Sequence, residues 1–235
     1  MDVGKLLLDK GKYNEAAIPY RRALEGYKKE LGVQHPHTLT SVSNLASVLQ
    51  DQGKYDEAEK LNRQALEGRE KKLGVQHPDT LASVNNLALV LQAQGKYDEV
   101  EKLNRRALEG RKKELGVQHP HTLTSVSNLA SVLQYQGKYD EAEKLHQRAL
   151  EGREKELGVR HPDTLTSVYY LAHLLHTLRS YTEAAELYQR ACDGYAQQLG
   201  SQHPTTVACY EHFAAIQQKV VQGRSVGGES VPSGR

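Results

Sequence analysis

The sequence repeats itself every 42 residues without slippage: His-Pro falls at 35–36, 77–78, 119–120, 161–162 and 203–204, and Tyr13, Tyr55, Tyr97, Tyr139 and Tyr181 keep the same interval. Self-similarity at a fixed period of this size describes units that can bury an apolar face only against their neighbours. The expectation is therefore a solenoid, with a long thin core strip in place of a globular centre. Such a stack presents an extended surface, so binding is the first expectation for what it does.

Residues 32–73 serve as the type unit. Leu39, Val42, Leu45, Ala46 and Leu49 recur at steps of three and four, which places them on one face of a helix. Tyr55, Ala58, Leu61, Ala65 and Leu66 do the same in the second half, with the repeated turn tyrosine read as core. Gln52-Gly53 breaks the pattern between them, Pro36 suits the first turn of a helix, and Gly74 closes the second. Each unit is thus a hairpin, helix A followed by helix B, with small residues at Ala46, Ala58 and Ala65 allowing close approach. Complete units start near 32, 74, 116 and 158. Residues 1–31 are a truncated first unit, whose residues 1–10 align with the last part of a helix A. Residues 204–220 read as a lone, polar helix A that caps the array of residues 1–220, and the Gly/Ser-rich residues 221–235 read as a disordered tail.

The run NLAxVLxxQGKYDEAEKLxxxAL resembles the tetratricopeptide motif. Leu45, Ala46 and Leu49 match its first helix, Gly53 and Tyr55 its turn, Ala58 and Ala65 its second helix. The 42-residue period with LGxxHPxT in the connection is similar to the variety found in kinesin light chains. It also resembles the repeat arrays of fungal nucleotide-binding signalling proteins of the STAND class, a likeness favoured by the near-identity of residues 32–50 and 116–134. The resemblance implies an all-α fold, a right-handed superhelical solenoid of antiparallel helix pairs with about five repeats and a C-terminal capping helix.

Charged residues make up 26% of the chain and nearly cancel, giving a formal net charge of +2. That leaves no footprint for nucleic acid or an anionic membrane. The apolar runs fall far short of the ~20 residues of a membrane span, and Lys5, Asp9 and Lys10 interrupt Leu6–Leu8, so nothing at the N-terminus reads as a signal peptide. A cytoplasmic location is expected, with Cys192 and Cys209 as small buried residues.

Five of the eleven histidines belong to His-Pro connections that recur once per unit. Packed helices stand roughly 8–10 Å apart, too far for one zinc ion with ligands at about 2.1 Å, so these histidines are read as connection residues. His35/His37 and His119/His121 are pairs without a third ligand. No nucleophile–base–acid set or phosphate-binding turn is visible, and the glycines are read as helix stops. The carboxylates of helix B fall four residues before a lysine, as in Asp56/Lys60, Glu67/Lys71 and Asp98/Lys102, the spacing of an exposed helix face. No enzymatic activity and no cofactor are expected.

The chain contains its own alignment. Between the units from 32, 74 and 116, helix A differs at Thr40/Ala82/Thr124, Ser43/Asn85/Ser127, Ser47/Leu89/Ser131 and Asp51/Ala93/Tyr135, one stripe opposite the leucines. In tetratricopeptide arrays this stripe resembles the one that lines the concave groove. Beside it Asn44, Asn86 and Asn128 do not vary, and an amide offers donors and an acceptor suited to a peptide backbone. Resemblance to kinesin light chains implies that role; bonding the neighbouring unit is the alternative. In the fifth unit the stripe becomes Tyr169, Tyr170, His173 and His176, with Tyr135 before and His212 after, read either as an aromatic hot spot or as drift in a degenerate repeat. The stripe carries no lysine or arginine row of the carboxylate-clamp kind. The expected partner is a protein or peptide segment, with self-association through the apolar N-terminal end (Val3, Leu6, Leu7, Leu8) as a further expectation.

Overall fold

The structure is a computed structural model that describes residues 13–226, with side chains described over 15–221. Among these residues there are ten α-helices and no strand: α1 Tyr13–Leu31, α2 Pro36–Asp51, α3 Tyr55–Leu73, α4 Pro78–Ala93, α5 Tyr97–Leu115, α6 Pro120–Tyr135, α7 Tyr139–Leu157, α8 Pro162–Thr177, α9 Tyr181–Leu199 and α10 Pro204–Val226. Even-numbered helices are helix A and odd-numbered ones helix B. The residues of the apolar N-terminal segment, 1–12, and those of the tail from 227 onward lie outside the described residues. The last helix itself runs to Val226, past the boundary read at 220.

The chain divides into two compact units, Met1–Val117 with α1–α5 and Gln118–Arg235 with α6–α10. In the first, each helix packs against the next in sequence and α2 also touches α4; in the second the same holds, with α6 touching α8.

The recurrent GxxHPxT connection accounts for the entry into each helix A. Gly74 adopts φ 89 and ψ 162, a region open essentially to glycine alone. The His77 side chain then caps α4: its Nδ1 accepts the Asp79 N–H at 3.2 Å, with Pro78 in the first turn where no N–H is needed. Thr80 Oγ1 donates back to the Gly74 carbonyl at 2.8 Å. The same histidine cap recurs at His35, His119, His161 and His203. These histidines are caps, a more specific role than filling a connection.

Helix A ends in a glycine lock. Lys54 N–H donates to the Leu49 carbonyl and Gly53 N–H to that of Gln50, both at 2.8 Å, with Gly53 at φ 74. In the fifth unit Arg179 takes the glycine's place and adopts φ 65, keeping the bonds Ser180 to Leu175 and Arg179 to His176.

Leu39, Val42, Leu45, Ala46 and Leu49 are buried, as are Ala58, Ala65 and Leu66; each large aliphatic side chain so placed contributes about 1.5–3 kcal/mol. Tyr55 departs from expectation: it is 36% exposed at the start of α3, outside the core. The glycines also divide into two kinds. Gly53 and Gly74 are helix stops, but Gly68, Gly110, Gly152 and Gly194 lie inside helix B, where a Cβ would stand 2.6, 3.1, 2.7 and 2.4 Å from Leu39, Leu81, Leu123 and Leu165. Since the leucine starts helix A and the glycine lies near the end of helix B, each pair is antiparallel and the hairpin closes on this contact.

The outer face of helix B also differs from a row of local pairs. Glu67–Lys71 forms at 2.6 Å, but much of the pairing crosses between successive helices B: Arg63–Glu99 at 2.8 Å, Arg106–Glu70 at 2.5 Å and, in the second unit, Arg190–Glu154 at 2.5 Å. Lys96 reaches Glu59 at 2.8 Å, and this bond, aided by Arg63 and Gln94, holds the Glu59 carboxyl down to about 2.

Replacing Gly194 by alanine should destabilise the fold by about 1–3 kcal/mol, because both methyls and Cγ of Leu165 stand in the way. Gly26, at the equivalent place in α1, has nothing within 4 Å of a Cβ. There the same substitution should stabilise by about 0.5–1 kcal/mol through helix propensity alone. Urea denaturation of both variants checks the opposite signs.

Candidate functional site

In the first compact unit the stripe on α2 is open at Thr40, Asn44, Ser47 and Asp51, and the adjacent α4 carries Asn86 and Asn85, both half-buried, and Leu89, 55% exposed. Ser43 is a correction: it is buried, its Oγ donating to the Leu39 carbonyl at 3.2 Å and accepting from Arg69 at 3.3 Å. It lies beneath the stripe because its position turns toward helix B. Asn62 of α3 is buried and donates its amide to the Asn86 carbonyl at 3.4 Å.

Arg69 was not anticipated at all. It is 9% exposed and ties three helices together: Nη1 donates to Ser83 Oγ at 2.6 Å and to Ser43 Oγ, and Nη2 reaches Thr40 Oγ1 at 3.4 Å. Arg153 repeats the arrangement in the second unit, with Ser167 Oγ at 2.7 Å, Thr124 Oγ1 at 3.0 Å and the Asp163 carbonyl at 3.2 Å. Its Nε is buried without an acceptor. Among the described residues both guanidiniums bond only hydroxyls and a backbone carbonyl. Burial pulls both pKa values below the usual arginine value while Asp79 and Asp163 oppose it. So although helix A carries no basic row, buried positive charge comes up from helix B to the edge of the stripe at Thr40 and Thr124. In the fifth repeat Tyr195 takes the arginine's place and its hydroxyl meets Thr166 Oγ1 at 3.2 Å.

In the second unit the stripe comprises Asn128 and Ser131, both half-buried, Tyr135 (60% exposed), Tyr170 (41% exposed) and exposed His173. Gln134 Nε2 lies 3.0 Å from His173 Nδ1, joining α6 to α8. Tyr169 turns inward and meets Tyr188 and His212 at ring separations of 5.6 and 5.7 Å, and His176 stands 6.0 Å from Tyr181. The structure thus brings the four named aromatic and histidine positions together, and adds His146 and Tyr188 from helix B. His146 stacks on Tyr170 at 6.0 Å and is 1% exposed, with neither ring nitrogen hydrogen-bonded. Burial, then nearby His173, pushes its pKa down to about 4. Tyr188 is fully buried with an unpartnered hydroxyl, and burial pushes its pKa up. Cys192 and Cys209 are free and buried beneath this cluster.

Chemically the stripe offers amides, hydroxyls and aromatic faces over buried guanidiniums. His35 and His37 sit with rings 5.2 Å apart, but Nδ1 of His35 is taken by the cap. Among the described residues no three His, Cys, Asp or Glu side chains are grouped to hold a metal ion, and no helix is long and apolar enough to cross a membrane.

Because the folded pKa of His146 lies below the ordinary 6.5, the unfolded chain binds a proton between about pH 6.5 and 4 that the folded chain refuses. Stability is therefore full above that window and falls as the pH drops through it, by about 2 kcal/mol at pH 5. His146→Asn, restoring the residue found at positions 62 and 104, should remove this loss. Urea midpoints at pH 7 and pH 5 test it: equal pH dependence in parent and variant would contradict the burial of a neutral His146.

The tetratricopeptide repeat family model matches residues 1–71, 38–113, 79–130 and 121–197. Among curated proteins no sequence matches. Among solved structures, a putative kinesin light chain with nearly identical TPR-like repeats from Podosopora anserina is 29% identical over 83% of this chain and 92% of its own, with a TM-score of 0.72. A variant of it is 27% identical over 84% and 93%, with a TM-score of 0.74. BtubC (BKLC) from P. vanneervenii, 24% identical over 86% and 80%, shares the fold with a TM-score of 0.71. The chain belongs to the tetratricopeptide repeat family and is similar to its kinesin-light-chain-like members.

Proposed function

We propose that the chain is a non-enzymatic interaction scaffold that grips a peptide segment along the helix A stripes, as a kinesin-light-chain-like adaptor would. One observation carries the reading: copies that are otherwise nearly identical differ along a stripe that runs beside unvarying asparagines and above buried arginines whose hydrogen bonds go to hydroxyls and a backbone carbonyl. The asparagines would hold the ligand backbone, and the stripe residues would choose its side chains. The guanidiniums at Thr40 and Thr124 would favour carbonyl or carboxylate groups on the ligand. Tyr135, Tyr170 and His173 give the second unit an amphipathic aromatic surface suited to a larger side chain. A second reading draws on the near-identity of the copies: a ligand-sensing repeat region of a fungal nucleotide-binding signalling protein, using the same stripe.

Peptides selected from a random displayed library on the immobilised chain provide the probe. In calorimetric titration, Asn86→Ala and Asn128→Ala should each weaken binding by about 0.5–1.5 kcal/mol, and Tyr135→Ala or Tyr170→Ala should change which peptides are selected. Lys60→Ala and Lys102→Ala, on the outer face, should stay within about 0.5 kcal/mol. Unaltered binding by folded asparagine variants, with loss in the outer-face variants, would place the working surface on helix B.

A further inference from the structure

The chain has two cysteines, and its own alignment places both at one junction between a helix B and the helix A that follows. Cys192 of α9 holds the place of Leu66, Leu108 and Leu150, and Cys209 of α10 that of Ser83, Ser125 and Ser167. At two earlier junctions the serine is tied to helix B by a buried guanidinium, Arg69 to Ser83 at 2.6 Å and Arg153 to Ser167 at 2.7 Å. Tyr195 stands where that arginine would be in α9, and its hydroxyl bonds Thr166 of α8. The arginine–serine tie thus gives way to a pair of thiols.

The two thiols face each other. Both are buried in one apolar cluster. Cys209 Sγ lies 3.8 Å from the Tyr188 carbonyl oxygen, the same oxygen that accepts the Cys192 N–H one helical turn on. The Cys192 and Cys209 side chains also hydrogen-bond each other. That bond holds the Cys209 thiol below its usual value, against burial, and together with burial pushes Cys192 above its own. Cys209 is therefore the readier nucleophile of the two, with Cys192 placed to resolve what forms on it.

We propose that Cys192 and Cys209 form a reversible disulfide that staples α10 to α9, with hydrogen peroxide as the oxidant. The Cys209 thiolate attacks one peroxide oxygen, the O–O bond breaks, and the leaving hydroxide takes up a proton to give water. Cys192 then attacks the sulfur of the resulting sulfenic acid. The S–S bond forms, the S–O bond breaks, and a second water leaves with the Cys192 proton. Two thiols lose two electrons and one peroxide is reduced to two waters. Because both sulfurs are buried, the reaction proceeds through local opening of α10 from α9. Tyr188 and His212 lie on the two stapled helices with rings 6.0 Å apart, so the oxidised form also fixes that part of the aromatic layer. The proposal stands whether or not the helix A stripe binds a peptide.

The test exposes the full chain at low concentration to hydrogen peroxide, unfolds it in an alkylating agent and measures its intact mass. Without peroxide both thiols should be alkylated. After peroxide the chain should carry no alkyl group and two fewer hydrogen atoms, and dithiothreitol should restore both alkylation sites. Cys192→Leu and Cys209→Ser install the residues of the other units, so each should keep parental helix content by circular dichroism and form no disulfide within the chain. Hydrogen exchange reads the staple itself: amides of α10 should exchange about tenfold or more slowly in the oxidised parent than in the reduced one, a difference absent from either variant. The mass measurement on the parent needs neither variant. Thiols still alkylated after peroxide, sulfinic acid without a disulfide, disulfides only between chains, or unchanged exchange of α10 in the linked chain would each overturn the proposal.

Discussion

The closeness of helix A to helix B depends on one contact, a leucine methyl pressed where a glycine has no side chain. A Cβ at Gly152 would meet both methyls of Leu123 at 2.7 and 2.8 Å, so with any other residue there the buried leucine or the helix that carries it must shift. With the leucine at the start of one helix and the glycine near the end of the other, the contact sets both separation and antiparallel sense. The loop supports it from the other side. The histidine cap, the proline and the threonine that returns to the glycine carbonyl deliver helix A at a repeatable angle, so the same leucine finds the same kind of glycine in each unit.

Once the leucines and alanines are committed to that seam, helix A has only one other broad face, and helix B reaches under it. Asn62 and Arg69 are polar residues spent on holding the next helix A in place. Their charge and amides come to the edge of the stripe without occupying it. In the second unit His146 stacks on Tyr170 and Tyr188 meets His212, so the layer beneath the stripe becomes aromatic where the stripe itself does. Surface and support change together, which is what a selective surface needs if each altered side chain is to be held in place.

The helices and their turns were legible because apolar spacing, Pro36 and Gly53 each act locally. The buried polar layer was not, since an arginine or asparagine in a helix ordinarily faces water, and Arg69 and Asn62 lie on a helix whose other charges do. A signal was nonetheless present. Positions 62, 104, 146 and 188 read Asn, Asn, His, Tyr while positions 86, 128, 170 and 212 read Asn, Asn, Tyr, His, so the two series leave asparagine at the same step. Gly68 was passed over for a similar reason: the periodicity of helix B accounts for its alanines and leucines but is silent about a residue that acts by having no side chain. The histidine cap was missed because its Nδ1 does work more often given to Ser, Thr, Asp or Asn.

Photo-crosslinking tests the assignment of the working surface most directly. A benzophenone side chain placed in turn at Ser47, Leu89 and Ser131 on the stripe, and at Lys60, Lys102 and Lys144 on the outer face, would be irradiated with a selected peptide bound. Adducts from the first three positions and none from the second three are predicted. Adducts confined to the helix B positions would show that the ligand runs along the outer face and that the stripe is not the site.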